Sequence, residues 1–220
     1  PEVNDFRFEL AALHASAGRH AAEEDVYWAI YENTMPPKGA PRPYLPVDDD
    51  EKALQRYHER GFRSLLSLFS RNSVARFHDS VALYKAEIDL RGGDLALVDE
   101  LVRVCDQQSA YDEIEALYED VIATYDTMAV YDKLARHHLR MRRDKDAEKV
   151  YRKAIKRFGD QREPYRWLYG YYDDNRRYED ADALVREAIA AFPDDMGWYS
   201  DLASVGYRRG GAAGKCAAYD

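Results

Sequence analysis

The sequence predicts an all-α fold of helix-turn-helix repeats stacked in a right-handed α-solenoid. Isoleucine recurs at 88, 122, 155 and 189, at steps of 34, 33 and 34 residues, and a tyrosine precedes the first three by four positions, at Tyr84, Tyr118 and Tyr151. The same register collects Leu101, Leu134, Leu168 and Leu202, each three residues after Val98, Tyr131, Tyr165 or Tyr199. It also aligns Ile114, Ala147 and Ala181, then Val121, Ala154 and Ala188, and closes each repeat on an aromatic at Tyr125, Phe158 and Phe192. A fixed period of this length marks supersecondary elements that cannot bury their apolar faces alone and do so by stacking.

Residues 1–35 read as a degenerate first repeat, with Leu10, Ala11, Gly18, Tyr27 and Ile30 near the expected places. Residues 36–50, PPKGAPRPYLPVDDD, hold five of the eight prolines and three successive acids. That composition predicts an extended, solvated insertion. A helix starting near Asp50 or Glu51, where the acids suit its N-terminus, opens the repeat 51–94. Repeats 95–127, 128–161 and 162–195 follow. In the last of these, Tyr165, Leu168, Tyr169 and Tyr172 form one apolar helical face, and Asp173, Asp174 and Asn175 supply a turn. Tyr178, Ala181, Val185, Ala188, Ile189 and Phe192 form a second face, which Pro193 ends. Residues 196–220 begin another first helix with Trp198, Tyr199 and Leu202. Its would-be partner, GGAAGKCAAYD, is short and Gly-rich and reads as a loose helix terminus. The expected array is about five helix pairs and a partial sixth, with the four isoleucines in its packed seam. Ala147 and Ala154, like Ala181 and Ala188, sit seven apart on one face, where a missing side chain lets a neighbouring helix approach.

This pattern resembles the tetratricopeptide repeat, whose 34-residue consensus has an aromatic at position 4, Leu at 7, a small residue at 8, Tyr at 11, Ala at 20, an aromatic at 24, Ala at 27 and Pro at 32. Residues 162–195 match it with Tyr165, Leu168, Tyr172, Ala181, Ala188 and Pro193 and depart at Tyr169 and Val185. Residues 128–161 match with Tyr131, Leu134, Ala135, Ala147, Tyr151 and Ala154, with His138 and Gly159 in place of the usual Tyr and Pro. Residues 95–127 are one short and match more weakly, and 61–94 keep the second helix better than the first. The resemblance implies that the first helix of each repeat lines a concave groove. Carried onto this chain, it places Asp99, Arg103, Asp132, Arg136, Arg140, Arg166, Asp173 and Tyr207 on that wall, the candidate residues for a bound peptide or partner segment. The chaperone-binding type of this repeat grips a terminal carboxylate with Lys at position 5 and Asn at position 9. Here those positions read Asp99/Arg103, Asp132/Arg136, Arg166/Gly170 and Ser200/Ser204, so no such clamp is built.

Signals for chemistry are weak. GGAAGKC at 210–216 has Arg209 where a phosphate loop needs its first glycine and Cys216 where it needs a hydroxyl, so nucleotide binding is not read from it. The six histidines are scattered, and His20-Ala-Ala-Glu23-Glu24 lacks a second histidine at the right turn for a metal. Neither a nucleophile elbow nor an assembled acid/base pair is legible. The expectation is a non-catalytic chain without cofactor or metal. Cys105 falls on a core-facing position and reads as a buried thiol.

The net charge of −9 argues against whole-surface attraction to nucleic acid, and no apolar run is long enough to insert in a membrane. Acids dominate from Asp94 to Asp132 and bases from Lys133 to Arg157, so neighbouring repeats differ in sign. The bland reading is that this fixes neighbour order. The sharper reading is a docking surface for an acidic or extended protein segment. Asp99 with Arg103, and Asp132 with Arg136, have i,i+4 spacing that either supports each helix or offers arginine forks to a partner's carboxylates. The function expected is therefore a protein-protein interaction scaffold. Its alternatives are a structural module that self-associates through exposed repeat ends, and a half-repeat RNA-processing scaffold. RPYLP at 42–46 adds an extended segment that an aromatic groove could accept. The chain opens at Pro1 without an initiator Met and reads as an excised piece. Its compartment stays open, with a cytoplasmic setting favoured.

Overall fold

A computed structural model describes residues 2–36 and 48–217. Among them are eleven helices and no strand. Their contacts divide the chain into two compact units, Pro1–Ile114 and Glu115–Asp220.

The first unit holds α1 (Glu2–Ser16), α2 (His20–Asn33), α3 (Asp49–Ser70), α4 (Phe77–Leu90), α5 (Leu95–Gln107) and the first turn of α6 (Tyr111–Tyr125). Successive helices from α1 to α5 pack against one another. The greater part of the proline-rich stretch, including RPYLP, lies outside the described residues. Asp48 caps α3 by accepting the Glu51 backbone N–H at 2.8 Å. The helix thus starts one residue earlier than expected, and Asp49, Asp50 and Glu51 sit in its first turn, facing the positive end of its dipole. Phe62, Leu65 and Phe69 of α3 are fully buried and form this unit's core with Ile30, Leu97 and Leu101.

The second unit holds the rest of α6, α7 (Met128–Arg140), α8 (Asp144–Arg157), α9 (Glu163–Asp174), α10 (Tyr178–Ala191) and α11 (Met196–Ala217). From α7 onward each helix again packs on its successor. Ala147, Ala154, Ala181 and Ala188 are completely buried, which is the close helix approach that small residues permit. In repeats 128–161 and 162–195 the closing aromatic packs on the ring that opens the repeat. Tyr131 meets Phe158 edge-on at 5.6 Å, and Tyr165 meets Phe192 in the same geometry at 5.7 Å.

The turns repeat as faithfully as the helices. Gly18, Ser109, Arg142 and Arg176 all have left-handed φ, between 55° and 68°. After each of them a backbone N–H reaches back five residues: Arg19 to His14, Ala110 to Cys105, Arg143 to His138 and Arg177 to Tyr172, at 2.8–2.9 Å. This is the Schellman closure, which satisfies the orphan carbonyls of a helix end. Two helices use glycine, which adopts this conformation without steric cost: α1 with Gly18, and α4 with Gly92 (φ 66°), after which the Gly93 N–H reaches Ile88 at 2.8 Å.

Two expectations are corrected here. The isoleucine ladder is not uniformly seam: Ile88 and Ile155 are buried, but Ile122 and Ile189 are only partly covered. A fixed period specifies the face of a helix, and depth depends on what lies opposite. The Gly-rich terminus is also not a separate short element, since α11 continues unbroken to Ala217. Alanines favour helix, and three glycines at about 1 kcal/mol each weaken it without a proline to break it.

Candidate interaction groove

The second unit contains a groove of about 540 Å³ formed by α7 and α9 with side chains of α8. Asp132 and Arg136 come from one turn of α7, Arg166 and Trp167 from α9, and Tyr151 from α8. Arg136 Nε donates to Asp132 Oδ2 at 2.8 Å, while the Arg136 side chain remains 69% exposed. Tyr151 OH donates to the other Asp132 oxygen at 3.3 Å. Burial pushes the Tyr151 hydroxyl well above its ordinary range, and the Asp132 charge and hydrogen bond push it further, so this ring presents a neutral donor. Trp167 lies 6.4 Å from Tyr151, ring to ring. The groove thus combines a held carboxylate, an arginine fork and an aromatic wall.

The remaining sequence-predicted residues are placed as follows. Asp99 and Arg103 lie on α5 in the first unit, half-buried and exposed respectively. Arg140 is exposed at the end of α7, its Nη2 3.4 Å from His137 Nδ1. Arg166 stacks over the Trp198 ring at 3.8 Å and pairs with Asp201, so it is tied to α11 as well as facing the groove. Asp173 pairs with Arg208 of α11, and Tyr207 beside it is 58% exposed. The second unit therefore brings Asp132, Arg136 and Arg166 into one groove, leaving Arg140, Asp173 and Tyr207 outside its lining.

Charge crosses between neighbouring repeats at repeating positions. Arg143 pairs with Glu115, and 34 residues on Arg177 pairs with Glu148 at 2.6 Å. Arg157 pairs with Asp126. The basic segment is thus bonded to the acidic one beside it. His137 and His138 are both buried there, and burial holds both rings below the ordinary histidine range, with Arg140 and Arg143 respectively adding to it. Arg143 donates to His138 Nδ1 at 2.8 Å, an arrangement that requires that nitrogen to be unprotonated.

Sequence reasoning passed over a buried polar cluster in the first unit. Glu87 is fully buried, and one of its oxygens accepts from Tyr31 OH at 3.1 Å and faces His58 Nε2 at 3.0 Å. Arg91 Nε donates to the other oxygen at 2.6 Å. His58 Nδ1 faces the Tyr31 carbonyl at 3.2 Å, so α2, α3 and α4 are joined at one carboxylate. A cavity of about 220 Å³ lies beside it, with Met35, Leu54 and Leu90 among its walls. Burial raises the Glu87 pKa, but hydrogen bonds and charge from His58, with Arg91, outweigh it and hold the carboxyl below its usual range. Glu23 is buried in the same way, taking two bonds from Arg71 at 2.9 and 3.1 Å. In sequence both glutamates look like ordinary solvated helix acids. Among the described residues no group of three metal-ligating side chains comes together.

The described geometry has helix pairs at a 33–34-residue period, buried alanines at the seam and, in repeats 128–161 and 162–195, a ring closing the hairpin on its own first helix. In fold these helix pairs resemble tetratricopeptide repeats. Solved structures of tetratricopeptide repeat proteins are similar to the chain. One is from Parabacteroides merdae, 10% identical over 99% of this chain and 78% of that one, with a TM-score of 0.41. Another is YrrB, described as having an unusual peptide-binding site, 12% identical over 78% of this chain and 89% of that one, with a TM-score of 0.43. No protein-family model matches the chain, and no curated protein matches it.

Proposed function

We propose that this chain is a non-catalytic protein-interaction scaffold whose second unit receives an extended, acidic partner segment in the groove between α7 and α9. One observation carries the reading. Arg136 is anchored by Asp132 through Nε yet keeps most of its side chain exposed beside Tyr151 and Trp167. A fork oriented by one bond loses less freedom on binding a carboxylate than an unrestrained lysine would. The flanking rings supply apolar area to the partner's backbone and side chains. Tetratricopeptide repeats provide the scaffold that holds these groups on rigid helices.

The test is charge reversal at Arg136 in the wall and at Arg140, one helical turn beyond it. Arg136→Glu with Arg140→Glu should weaken binding of a panel of extended acidic peptides by at least about tenfold, the scale of one charge-assisted contact. Fluorescence anisotropy reads the binding, and the effect should shrink as salt rises. The helical content and thermal midpoint should hold, because both side chains are exposed. Unaltered peptide binding by a folded double variant refutes the groove.

A further inference from the structure

α1 has two apolar stripes. The inner one, with Asn4, Phe8 and Ala11, is buried, and Phe8 packs against Tyr27 and Tyr57 at 6.2 and 6.5 Å. The outer one presents Val3, Phe6, Leu10 and Leu13, which are 64, 70, 44 and 63% exposed. Their steps of three, four and three are the a and d positions of two heptads. At about 100° per residue these four side chains fall within an arc of about 80°, on the side of the helix away from the inner stripe. Single exposed apolar residues are ordinary, but four in a heptad seam form a surface.

The residues flanking the seam indicate what covers it. In this register Arg7 and His14 take e positions and Glu9 takes g. If two copies of α1 pair in parallel, g meets the e position five residues on, and Glu9 faces the partner's His14. If they pair antiparallel about the centre of the stripe, Glu9 meets the partner's Glu9, and Arg7 the partner's Arg7. Like charges against each other disfavour the second arrangement. With the inner stripes on opposite sides of the paired helices, the two bodies diverge from the seam and leave it room to close.

We propose that α1 is a self-association helix, and that two copies of this chain join through parallel α1 helices along Val3, Phe6, Leu10 and Leu13. The contact is short, so the complex is a reversible one in the micromolar to hundred-micromolar range (on the order of 10⁻⁶–10⁻⁴ M). Sedimentation equilibrium of the full chain across that range should show the mass rising from one chain toward two. Phe6→Glu and Leu10→Glu should each weaken association by about 30-fold or more, the effect of losing a central apolar anchor. Neither should change the thermal midpoint of the single chain, because both side chains are exposed. Leu13→Cys, made with Cys216→Ala, should form a like-to-like disulfide between copies under mild oxidation; Cys105 is buried and out of reach. A chain that stays single throughout, or a dimer indifferent to both glutamates, overturns the proposal. Doubled mass without a crosslink at position 13 overturns the parallel arrangement, and vesicle binding by a chain that remains single would assign the stripe to a lipid surface instead.

Discussion

Replacing Glu87 should reveal how much of the first unit's stability rests on one carboxylate. Glu87→Leu removes the acceptor shared by Tyr31 OH and His58 Nε2, both buried, and leaves those donors facing an alkyl group. Each bond to a charged group contributes about 1.5–3 kcal/mol, and two such buried bonds to the carboxylate are lost together. Arg91 is 31% exposed and keeps Glu59, so its lost bond adds little. A cost of about 3–5 kcal/mol is therefore expected for Glu87→Leu. Glu87→Gln should cost about half as much, because its carbonyl can keep accepting at the crowded oxygen. Urea unfolding followed by far-ultraviolet circular dichroism reads the cost. Hydrogen exchange at the amides of α2, α3 and α4 localises it. Adding His58→Leu and Tyr31→Phe to Glu87→Leu should recover much of the loss, since apolar groups of similar size satisfy a dry site that a lone imidazole does not. A cost below about 1 kcal/mol, or no recovery in the triple variant, would refute the reasoning. Because the Glu87 pKa is depressed in the folded chain, its contribution is present above the unfolded value near 4.5 and is lost as pH falls through the folded one.

The second unit should weaken at milder pH. His137 and His138 have folded pKa values below the ordinary 6.5, so the unfolded chain takes up protons first. Stability is then full above about 6.5 and declines as pH falls toward the folded values, by at most about 1.4 kcal/mol per pH unit for each ring. Thermal midpoints measured between pH 7.5 and 5 should drop, and His138→Gln should flatten the curve; a midpoint constant over that range contradicts the burial argument. In the turns, glycine at Ser109, Arg142 and Arg176 should stabilise the chain by roughly 0.5–1 kcal/mol each. The relief of left-handed strain exceeds the entropy that glycine adds to the unfolded state. A triple variant that melts no higher than the parent would show that these turns carry no strain.

The parts of the fold legible in sequence were those where one residue's size determines one contact. Ala147, Ala154, Ala181 and Ala188 could be assigned to the seam because only a short side chain allows that approach, and each is fully buried. Ile122 shared their period and still came out half-covered, because spacing reports direction and says nothing of the opposing wall. Glu87 was illegible for a related reason: its burial depends on His58, 29 residues earlier, and in its own helix it resembles any exposed acid. The groove was partly legible. Position counting found Asp132, Arg136 and Arg166, but it could not show that Arg166 would stack on Trp198, nor that Trp167 would form part of the wall. The outer stripe of α1 was in plain view as four letters. It became visible as a stripe only when the structure showed Phe8 and Ala11 occupied elsewhere.

The paired bonds Arg143 to Glu115 and Arg177 to Glu148 bear on how such an array changes length. Each arginine stands at the entry to a second helix and reaches back to the equivalent acid of the preceding repeat. Excising residues 128–161 as a block would bring Arg177 to the place Arg143 now holds, with Glu115 waiting opposite. That pair would close again, although Asp126 would lose Arg157, because Ala191 would take its place. Duplicating the same block would add one more identical joint. Whole modules can therefore be gained or lost during descent with this arginine–glutamate joint kept, while an insertion of a few residues within a helix that carries one of the partners would pull that pair out of register.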